Sequence, residues 1–433
     1  MKPSEGLESA ENRNPSNTRM LHQLISFVNT KIYEDMPELT TQLTQLKPTI
    51  LRLVFYWSTV VLVVIGSTDV ADAQRNSTSV SDVLSSEADA GFAYALEPMK
   101  LQFPRDHGAH PEYQIEWWYY TGNLHTDDGK AFGYQLTFFR FALTPQMPER
   151  TSHLATNQIY MAHFALTDAA NGDYFCFERR SRGAGGLAGA TGDPIYKVWL
   201  EDWSATEAEP GVIHLYAASA SDFIEADPQV GLSLNLQQTR PPILHGDRGL
   251  SQKGPEPGNA TYYYSLVGLE TAGEITINGK TVAVSGISWM DHEFGTSFLG
   301  EGFVGWDWFS LQLENGTALM LYCLRGSAQL CDPQTFEGTL VYPNSQQLCI
   351  GTKDFTLTPT RQWRSSESGA TYPSGWDITF PELKITLRVE PLIPNQEFRA
   401  SFTYWEGAVR VCGQIDGAAV EGQGYVELTG YER

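Results

Sequence analysis

A Trp-rich segment, reading Glu116-Trp-Trp-Tyr-Tyr-Thr-Gly-Asn-Leu124, is joined by a turn ending at Gly129 to an apolar run that ends at Arg140. A related arrangement follows later in the chain, where Gly305-Trp-Asp-Trp-Phe-Ser-Leu-Gln-Leu313 leads through a turn to an apolar run ending at Arg325. Aromatic and β-branched runs joined by Gly-containing turns are typical of β-hairpins. The recurrence predicts two related β units, each with aromatic residues available to line a cavity.

The chain after Tyr94 alternates short apolar runs with Gly, Asn, Asp or Pro. Asn278-Gly279 separates two such runs, and Asn-Gly in that position is the strongest local hairpin signal. Ile385–Val389 alternates with period two, as a strand with one buried face does. We find no amphipathic helix of ordinary length after residue 95. The sequence therefore predicts an all-β, antiparallel fold made of barrel or sandwich units.

The composition of residues 1–95 predicts an export leader. Residues 1–46 are polar, and Leu53–Ile65 is a mostly apolar run with basic residues on its N-terminal side. Ala71-Asp-Ala73 then fits the small-x-small pattern of a signal-peptide cleavage site. We predict a disordered leader, a signal segment and a flexible tether, and an exported protein, periplasmic or secreted. The alternative is an uncleaved signal-anchor that associates with a membrane through residues 50–66.

Charge and cysteine content limit the partners of the protein. The chain has 29 Lys and Arg against 51 Asp and Glu, a formal net charge of −22. Such a surface repels phosphate backbones, so we predict no nucleic-acid partner. The five Cys show no zinc-ligand spacing, but Cys323 and Cys331 could form a disulfide in an exported protein if their strands are neighbours. No metal and no cofactor are predicted.

The densest group of ionisable residues lies in Trp289-Met-Asp-His-Glu-Phe-Gly295. On a strand Asp291 and Glu293 share one face, and His292 points to the other. A carboxyl in an aromatic cavity has a raised pKa because desolvation disfavours its charged form, and it then becomes a usable general acid. We predict catalytic roles for Asp291, His292 and Glu293. The alternative is a turn at a domain boundary whose charges are solvated.

Two further carboxylates, Glu116 and Asp307, each lie beside Trp residues. Arg140 and Arg325 end the strands that follow them, and a hairpin would bring each Arg near its carboxylate. We therefore predict structural ion pairs, Glu116 with Arg140 and Asp307 with Arg325, rather than catalysis at these positions.

Four histidines outside the central motif carry weaker signals. His107 and His110 could join Asp291-His292 in a metal site, but no spacing in the sequence requires it. His163 lies within an apolar run and His245 within a loop rich in Pro and Gly. We predict that both are hydrogen-bonded structural groups.

Six motifs occur in a fixed order along the chain. They are Phe103-Pro-Arg-Asp-His-Gly-Ala-His110, Glu116-Trp-Trp-Tyr-Tyr-Thr-Gly122, Gly133-Tyr-Gln-Leu-Thr-Phe-Phe-Arg140, Pro241-Pro-Ile-Leu-His-Gly246, Trp289-Met-Asp-His-Glu-Phe-Gly295 and Gly305-Trp-Asp-Trp-Phe309. On these motifs the chain resembles the AttH/carotenoid 1,2-hydratase family, also called hydroxyneurosporene synthase-like, over about residues 97–433. The resemblance implies two consecutive lipocalin-like β-barrel domains, which we place at residues 96–296 and 297–433.

The resemblance also implies a hydrophobic ligand of isoprenoid or carotenoid type. Characterised relatives include hydratases of acyclic carotenoid ends, and protonating an alkene needs a desolvated acid and aromatic faces for the cation. On this interpretation Asp291 or Glu293 is the acid, and His292 positions water or returns the proton. The predicted ligand-binding residues are Trp117, Trp118, Tyr119, Tyr134, Trp289, Trp306 and Trp308. The alternative is an exported, non-enzymatic protein that binds a lipid or pigment.

Overall fold

The computed structural model describes residues 91–147, 152, 154–219, 229–299, 302–326 and 331–431, with the backbone alone for residues 331–336. The predicted polar leader, the signal segment and the tether up to residue 90 all lie outside these ranges. Within the described ranges, no helix is both long enough and apolar enough to cross a membrane.

The first sheet is formed by thirteen antiparallel strands of the described chain. These are β1 (Ile115–His125), β2 (Ala131–Ala142), β3 (Gln158–Asp168), β4 (Asp173–Arg182), β5 (Ala188–Thr191), β6 (Lys197–Leu200), β7 (Trp203–Glu209), β8 (Val212–Ala218), β9 (Val230–Gln237), β10 (Ile243–Leu244), β11 (Leu250–Gln252), β12 (Ala260–Ile277) and β13 (Lys280–Gly295). Their order is β4-β3-β2-β1-β13-β12-β9-β8-β7-β6-β5, and β10 and β11 pair with β12. The hairpin predicted at Asn278-Gly279 joins β12 to β13.

The second sheet contains ten strands of the described chain. They are β14 (Phe303–Leu313), β15 (Ala318–Gly326), β16 (Cys331–Val341), β17 (Gln347–Gly351), β18 (Thr356–Pro359), β21 (Trp376–Phe380), β22 (Ile385–Pro391), β23 (Glu397–Arg399), β24 (Thr403–Ile415) and β25 (Ala418–Leu428). Their order is β17-β16-β15-β14-β25-β24-β22-β21-β18, with β23 on β24. A separate two-stranded sheet joins β19 (Gln362–Arg364) to β20 (Thr371–Pro373).

The two faces of the first sheet pack against different partners. Trp118 and Tyr120 of β1 are fully buried in one core with Phe138 of β2. Successive side chains on a strand point to opposite faces, so Trp117 and Tyr119 lie on the other side. There they belong to a cluster that includes residues of the second sheet.

The two sheets approach each other closely where β1 and β2 face β24 and β25. A methyl group at Gly133 of β2 would lie 2.4 Å from the Ala408 Cβ of β24, so the absence of a side chain permits this approach. Asn123 donates from Nδ2 to the carbonyl oxygen of Gly424 over 2.9 Å. An apolar layer containing Trp308 of β14 and Tyr425 of β25 fills the adjoining space.

The prediction of an all-β antiparallel fold is confirmed. The first sheet curls into a nearly closed barrel, and the second forms a half-barrel. The predicted domain boundary, between residues 296 and 297, falls in the connection from β13 to β14. Cys323 of β15 is disulfide-bonded, and β15 pairs with β16, which begins at Cys331.

Candidate functional site

A cavity lies between the two sheets, with about 1000 Å³ of empty space when its open mouth is included. The first sheet contributes aromatic and apolar side chains, among them Trp117, Tyr119, Phe139, Met161 and Tyr263. The second sheet contributes Trp306, Trp308, Tyr322, Leu324 and Tyr404. The aromatic residues of the two related hairpins therefore line one shared cavity, whereas the sequence pattern suggested a cavity in each unit.

One row of mostly polar residues crosses the first sheet under this cavity. Strand register places them side by side in the order Ser265 (β12), Asp291 (β13), Tyr119 (β1), Thr137 (β2), His163 (β3) and Glu178 (β4). Neighbouring strands lie about 4.8 Å apart, so the three steps from Asp291 to His163 span about 14 Å. This row therefore has ionisable groups at two separated positions, Asp291 near one end and His163 with Glu178 at the other.

Asp291 occupies one of these positions and is held by three side-chain donors. Its Oδ2 accepts from the Tyr263 hydroxyl over 2.6 Å, and its Oδ1 accepts from Trp289 Nε1 over 2.6 Å and from the Ser265 hydroxyl. Burial raises the pKa of Asp291 to about 7, because it outweighs these hydrogen bonds, and the neighbouring Glu293 raises the pKa further. Asp291 is thus partly protonated at neutral pH.

The two oxygens of Asp291 differ in the kind of donor that they accept from. Trp289 Nε1 can only donate, and together with Ser265 it occupies the acceptor positions of Oδ1. The hydroxyl of Tyr263 can instead reverse, because it already accepts from Trp308 Nε1 over 3.0 Å and can turn its own proton elsewhere. Oδ1 is thus held by an obligate donor, whereas Oδ2 is held by a hydroxyl group whose proton can turn away.

Ser265 is held in turn by His245. The Nε2 atom of His245 lies 2.6 Å from the Ser265 hydroxyl oxygen, and its Nδ1 atom lies 2.8 Å from the Thr339 hydroxyl. His245 is buried, which lowers its pKa to about 3 and keeps it neutral. His245 thus has hydrogen-bond partners on both nitrogens and holds the Ser265 hydroxyl that donates to Asp291.

Glu293 lies beside Asp291 on the same face but has a cationic partner. Lys253 Nζ lies 2.7 Å from Glu293 Oε1, and both side chains are almost completely buried. The same ammonium lies 4.4 Å from the centre of the Tyr322 ring and 5.1 Å from that of Tyr263. Such cation–π contacts stabilise a desolvated Lys.

The second sheet adds two carboxyl groups that no local motif indicated. Glu427 of β25 lines the cavity and accepts from Trp306 Nε1 over 3.0 Å. Burial raises its pKa to about 7, and the negative charges of Asp291 and Glu293 add to the effect. Its neighbour on β24, Glu406, accepts from the Tyr119 hydroxyl, and burial raises its pKa well above the usual range.

His292 lies on the opposite face of the sheet, in a fully buried ionic cluster. Its Nε2 and the Nδ1 of His110 each lie 2.8 Å from Glu116 Oε1, and Arg140 Nε lies 2.7 Å from Glu116 Oε2. Burial opposes ionisation of Glu116, but Arg140 and His110 hold its pKa well below the usual range. His292 Nδ1 lies 2.8 Å from the Tyr264 hydroxyl. His292 therefore does not line the cavity, unlike Asp291 and Glu293.

The same cluster contains three groups with the composition of a metal site. One ligand atom each of His110, Glu116 and His292 lies within 4.8 Å of the others. The Arg140 guanidinium already supplies a cation to Glu116 there. Asp291, a candidate partner of these histidines on sequence grounds, lies on the other face of the sheet.

Comparison with known proteins identifies the family. The model of the AttH-like family matches residues 94–431. The chain belongs to the AttH-like family. Among solved structures, an AttH-like protein from Nitrosomonas europaea is 34% identical, with a TM-score of 0.67, and the match covers 78% of this chain and all of that one. Among curated proteins, no sequence matches.

A second solved structure supports the fold of this AttH-like protein at lower identity. Kievitone hydratase from Nectria haematococca aligns over 80% of this chain and 96% of its own, with a TM-score of 0.57 and 15% identity. At that identity the likeness concerns the fold alone.

The predicted ligand-binding residues of this AttH-like protein separate into three groups. Trp117, Tyr119, Trp306 and Trp308 line the cavity. Trp289 lies beneath it and donates to Asp291. Trp118 and Tyr134 lie in the core on the other face of the sheet, where Trp118 donates to the carbonyl oxygen of His107 and Tyr134 donates to Ser288. The two predicted ion pairs are both present, with Nε–carboxylate distances of 2.7 Å for Glu116–Arg140 and 2.9 Å for Asp307–Arg325.

Replacing Glu427 by glutamine is expected to change how stability depends on pH. A carboxyl whose pKa rises on folding, here to about 7, binds more protons folded than unfolded, so its contribution to stability is lost as pH rises from about 4.5 to 7. Wild-type stability should fall relative to Glu427→Gln by on the order of 2 kcal/mol over this range, less than the full shift because the cavity keeps some solvent near the carboxyl.

Urea unfolding at several pH values measures this difference. The exposed Glu421, also on β25, is the matched control, and Glu421→Gln should follow the wild-type pH dependence. If the free energy of unfolding depends on pH in the same way for wild type and Glu427→Gln, the prediction is wrong.

Proposed function

We propose that this AttH-like protein adds water to an alkene in a hydrophobic, isoprenoid-like molecule, with Asp291 as the general acid. The observation that carries the proposal is the state of Asp291, a buried carboxyl on the cavity wall with a pKa raised to about 7. An acid with a pKa near the working pH combines a populated protonated form with sufficient driving force for transfer.

The lining of the cavity suits both the ligand and the intermediate of this reaction. Protonation of a substituted alkene produces a carbocation, which aromatic faces stabilise through their negative electrostatic potential. Trp117, Trp306 and Trp308 supply such faces from the two sheets. Apolar side chains such as Met161 and Leu324 complete a surface on which an isoprenoid chain is desolvated.

The reaction balances with the groups at hand. The π electrons of the alkene form a new C–H bond with the proton of Asp291, whose O–H bond breaks and leaves a carboxylate. A water oxygen then attacks the cationic carbon and forms the C–O bond. Its surplus proton passes to Glu427, which is partly ionised at neutral pH because its pKa is about 7. Exchange with solvent at the open mouth restores both groups.

The comparisons support the type of fold in which this chemistry is proposed. Kievitone hydratase, whose name records a hydration, shares the fold at 15% identity. A terminal alkene of a carotenoid is the specific substrate suggested by the motif resemblance, and the apolar cavity is compatible with one end of such a molecule.

Incubation of the protein with an acyclic carotene in water labelled with heavy oxygen tests the proposal. We expect a product in which one labelled hydroxyl has been added, detected by liquid chromatography and mass spectrometry. The same incubation with heat-denatured protein is the control. Binding of the carotene, seen as quenched Trp fluorescence, without incorporation of the label would contradict a hydratase with this substrate.

The second candidate is a non-enzymatic binding protein for a lipid or pigment. It is favoured by one observation, that both oxygens of Asp291 already accept hydrogen bonds from protein side chains. An apolar molecule co-extracted with the protein, unchanged after prolonged incubation, would support this alternative. The export proposed from the apolar run Leu53–Ile65 fits either function, and that run lies outside the described residues.

A further inference from the structure

We infer that the end of the cavity remote from Asp291 is a second polar site, in which the Tyr404 oxygen accepts a hydrogen bond from a hydroxyl group of the ligand. The inference deepens the proposed function, since it concerns the same cavity and names the class of ligand. That class is an apolar, isoprenoid-like molecule that carries an alcohol or phenol at one end.

Three residues from the two sheets form this site. His163 Nδ1 lies 2.8 Å from the Tyr404 hydroxyl, and His163 Nε2 lies 3.2 Å from Glu178 Oε2. His163 and Tyr404 both line the cavity, whereas Glu178 lies behind them. His163 is predicted from the sequence to be a hydrogen-bonded structural group, because nothing near it in sequence indicates a partner from β24.

Glu178 is held as an anion. The Ser401 hydroxyl donates to its Oε1 over 2.5 Å, and Arg180 Nε lies 2.7 Å from the same oxygen. Burial opposes the charge, but hydrogen bonds from His163 and Ser401 hold the pKa of Glu178 at about 2. An ionised carboxylate can only accept hydrogen bonds.

The charge of Glu178 fixes the direction of every bond in the site. His163 Nε2 must carry a proton in order to donate to the carboxylate. Burial lowers the pKa of His163 and so favours the neutral ring, which with its single proton on Nε2 has an acceptor at Nδ1. The Tyr404 hydroxyl therefore donates to Nδ1. Within the described residues no group donates to the Tyr404 oxygen, which leaves its lone pairs available to the cavity.

The surroundings make this acceptor effective. Phe398 stacks on His163 at a centroid distance of 4.4 Å, and the Phe139 ring meets it edge-on at 5.2 Å. A hydrogen bond formed among apolar rings is stronger than one exposed to water, and a ligand without a donor would leave the Tyr404 oxygen unsatisfied. The site therefore discriminates for a hydroxyl group.

Distance separates this site from the acid. His163 lies three strands from Asp291 along the polar row, about 14 Å away. The Tyr404 hydroxyl is bound at the His163 end of that row, whereas a base for the water of hydration must lie within hydrogen-bond reach of the reacting atoms. Tyr404 acts on another part of the ligand, as a recognition group that positions the molecule.

Farnesol and farnesyl methyl ether test the inference, because both have an isoprenoid chain and a terminal alkene but only the alcohol can donate. Each probe is titrated into the full-length protein and followed by quenching of Trp fluorescence. Wild type is expected to bind the alcohol about tenfold more tightly than the ether. Tyr404→Phe should bind both with similar affinity, and its affinity for the ether should stay near the wild-type value.

Tyr134→Phe is the matched control, since it removes a buried Tyr hydroxyl from the other face of the sheet and should keep the tenfold preference. Glu178→Gln no longer fixes the tautomer of His163, so this variant should also lose the preference for the alcohol over the ether. It replaces Tyr404→Phe in the experiment if that variant does not fold. Equal affinity of wild type for both probes, or an unchanged preference in Tyr404→Phe, would overturn the inference. These ratios require no turnover, so absence of hydration leaves them interpretable.

Discussion

Arg140→Met is expected to lower the free energy of unfolding by about 3–5 kcal/mol, because it leaves the Glu116 carboxylate buried without its cation. Arg140 is fully buried, and besides Glu116 it donates to Gln158 Oε1 over 2.7 Å and to the carbonyl oxygens of His110 and Tyr113 over 2.9 and 2.8 Å. Methionine fills much of the same space but satisfies none of these acceptors. Urea unfolding followed by Trp fluorescence measures the change.

Arg388→Met is the matched control for this experiment. Arg388 also lies on a strand and its Nε is 2.9 Å from Asp377, but the two side chains are 57% and 41% exposed. Surface ion pairs contribute less than about 1 kcal/mol, so this variant should stay close to wild type. If Arg140→Met unfolds at the same urea concentration as Arg388→Met, the buried Glu116–Arg140 pair does not contribute the predicted free energy of unfolding.

Asp291→Asn is expected to lower the rate of hydration by about 10²- to 10⁴-fold, the contribution that a positioned general acid makes. The amide has the shape of the carboxyl and can keep the contacts to Trp289 and Ser265, but it has no proton to transfer. Affinity for the ligand should change little, so the loss appears in kcat. In wild type the rate should fall as pH rises above about 7, because Asp291 then loses its proton.

Two further variants make the result specific to Asp291. Asp128→Asn alters an exposed turn and should keep the wild-type rate. Glu427→Gln removes the proposed acceptor of the water proton, so it should slow the reaction and remove a pH dependence on the acidic side of the profile. If Asp291→Asn hydrates the substrate at the wild-type rate, Asp291 is not the general acid.

The sequence predicted those parts of the structure that depend on neighbours along one strand or one hairpin. Period-two alternation separated Asp291 and Glu293 from His292, and the structure places them on opposite faces. The same rule would have separated Trp117 from Trp118, which the prediction grouped together. The ion pairs of Glu116 and Asp307 followed from hairpin register in the same way.

The rest of the site depends on the docking of the two sheets, for which the sequence has no local signal. Glu427 lies in a strand without other distinguishing features, and its proposed role depends on its being close enough to Asp291 and Glu293 for their charges to raise its pKa. Tyr404 is 241 positions from His163, yet the two share a hydrogen bond. Hydrophobic patterning specifies which face is buried, but not which distant face covers it.

The cavity belongs to neither barrel, and this has a consequence for how its size can change. A barrel that encloses its own ligand has a capacity set by strand number and tilt. Here the capacity depends on the gap between two stacked sheets, which contacts such as Trp308 to Tyr263 and Asn123 to Gly424 maintain. Substitutions at the residues that hold the two sheets apart would therefore adapt the cavity to a thicker or thinner ligand. The cores inside the barrel and the half-barrel could meanwhile change in sequence, provided that the fold stays stable.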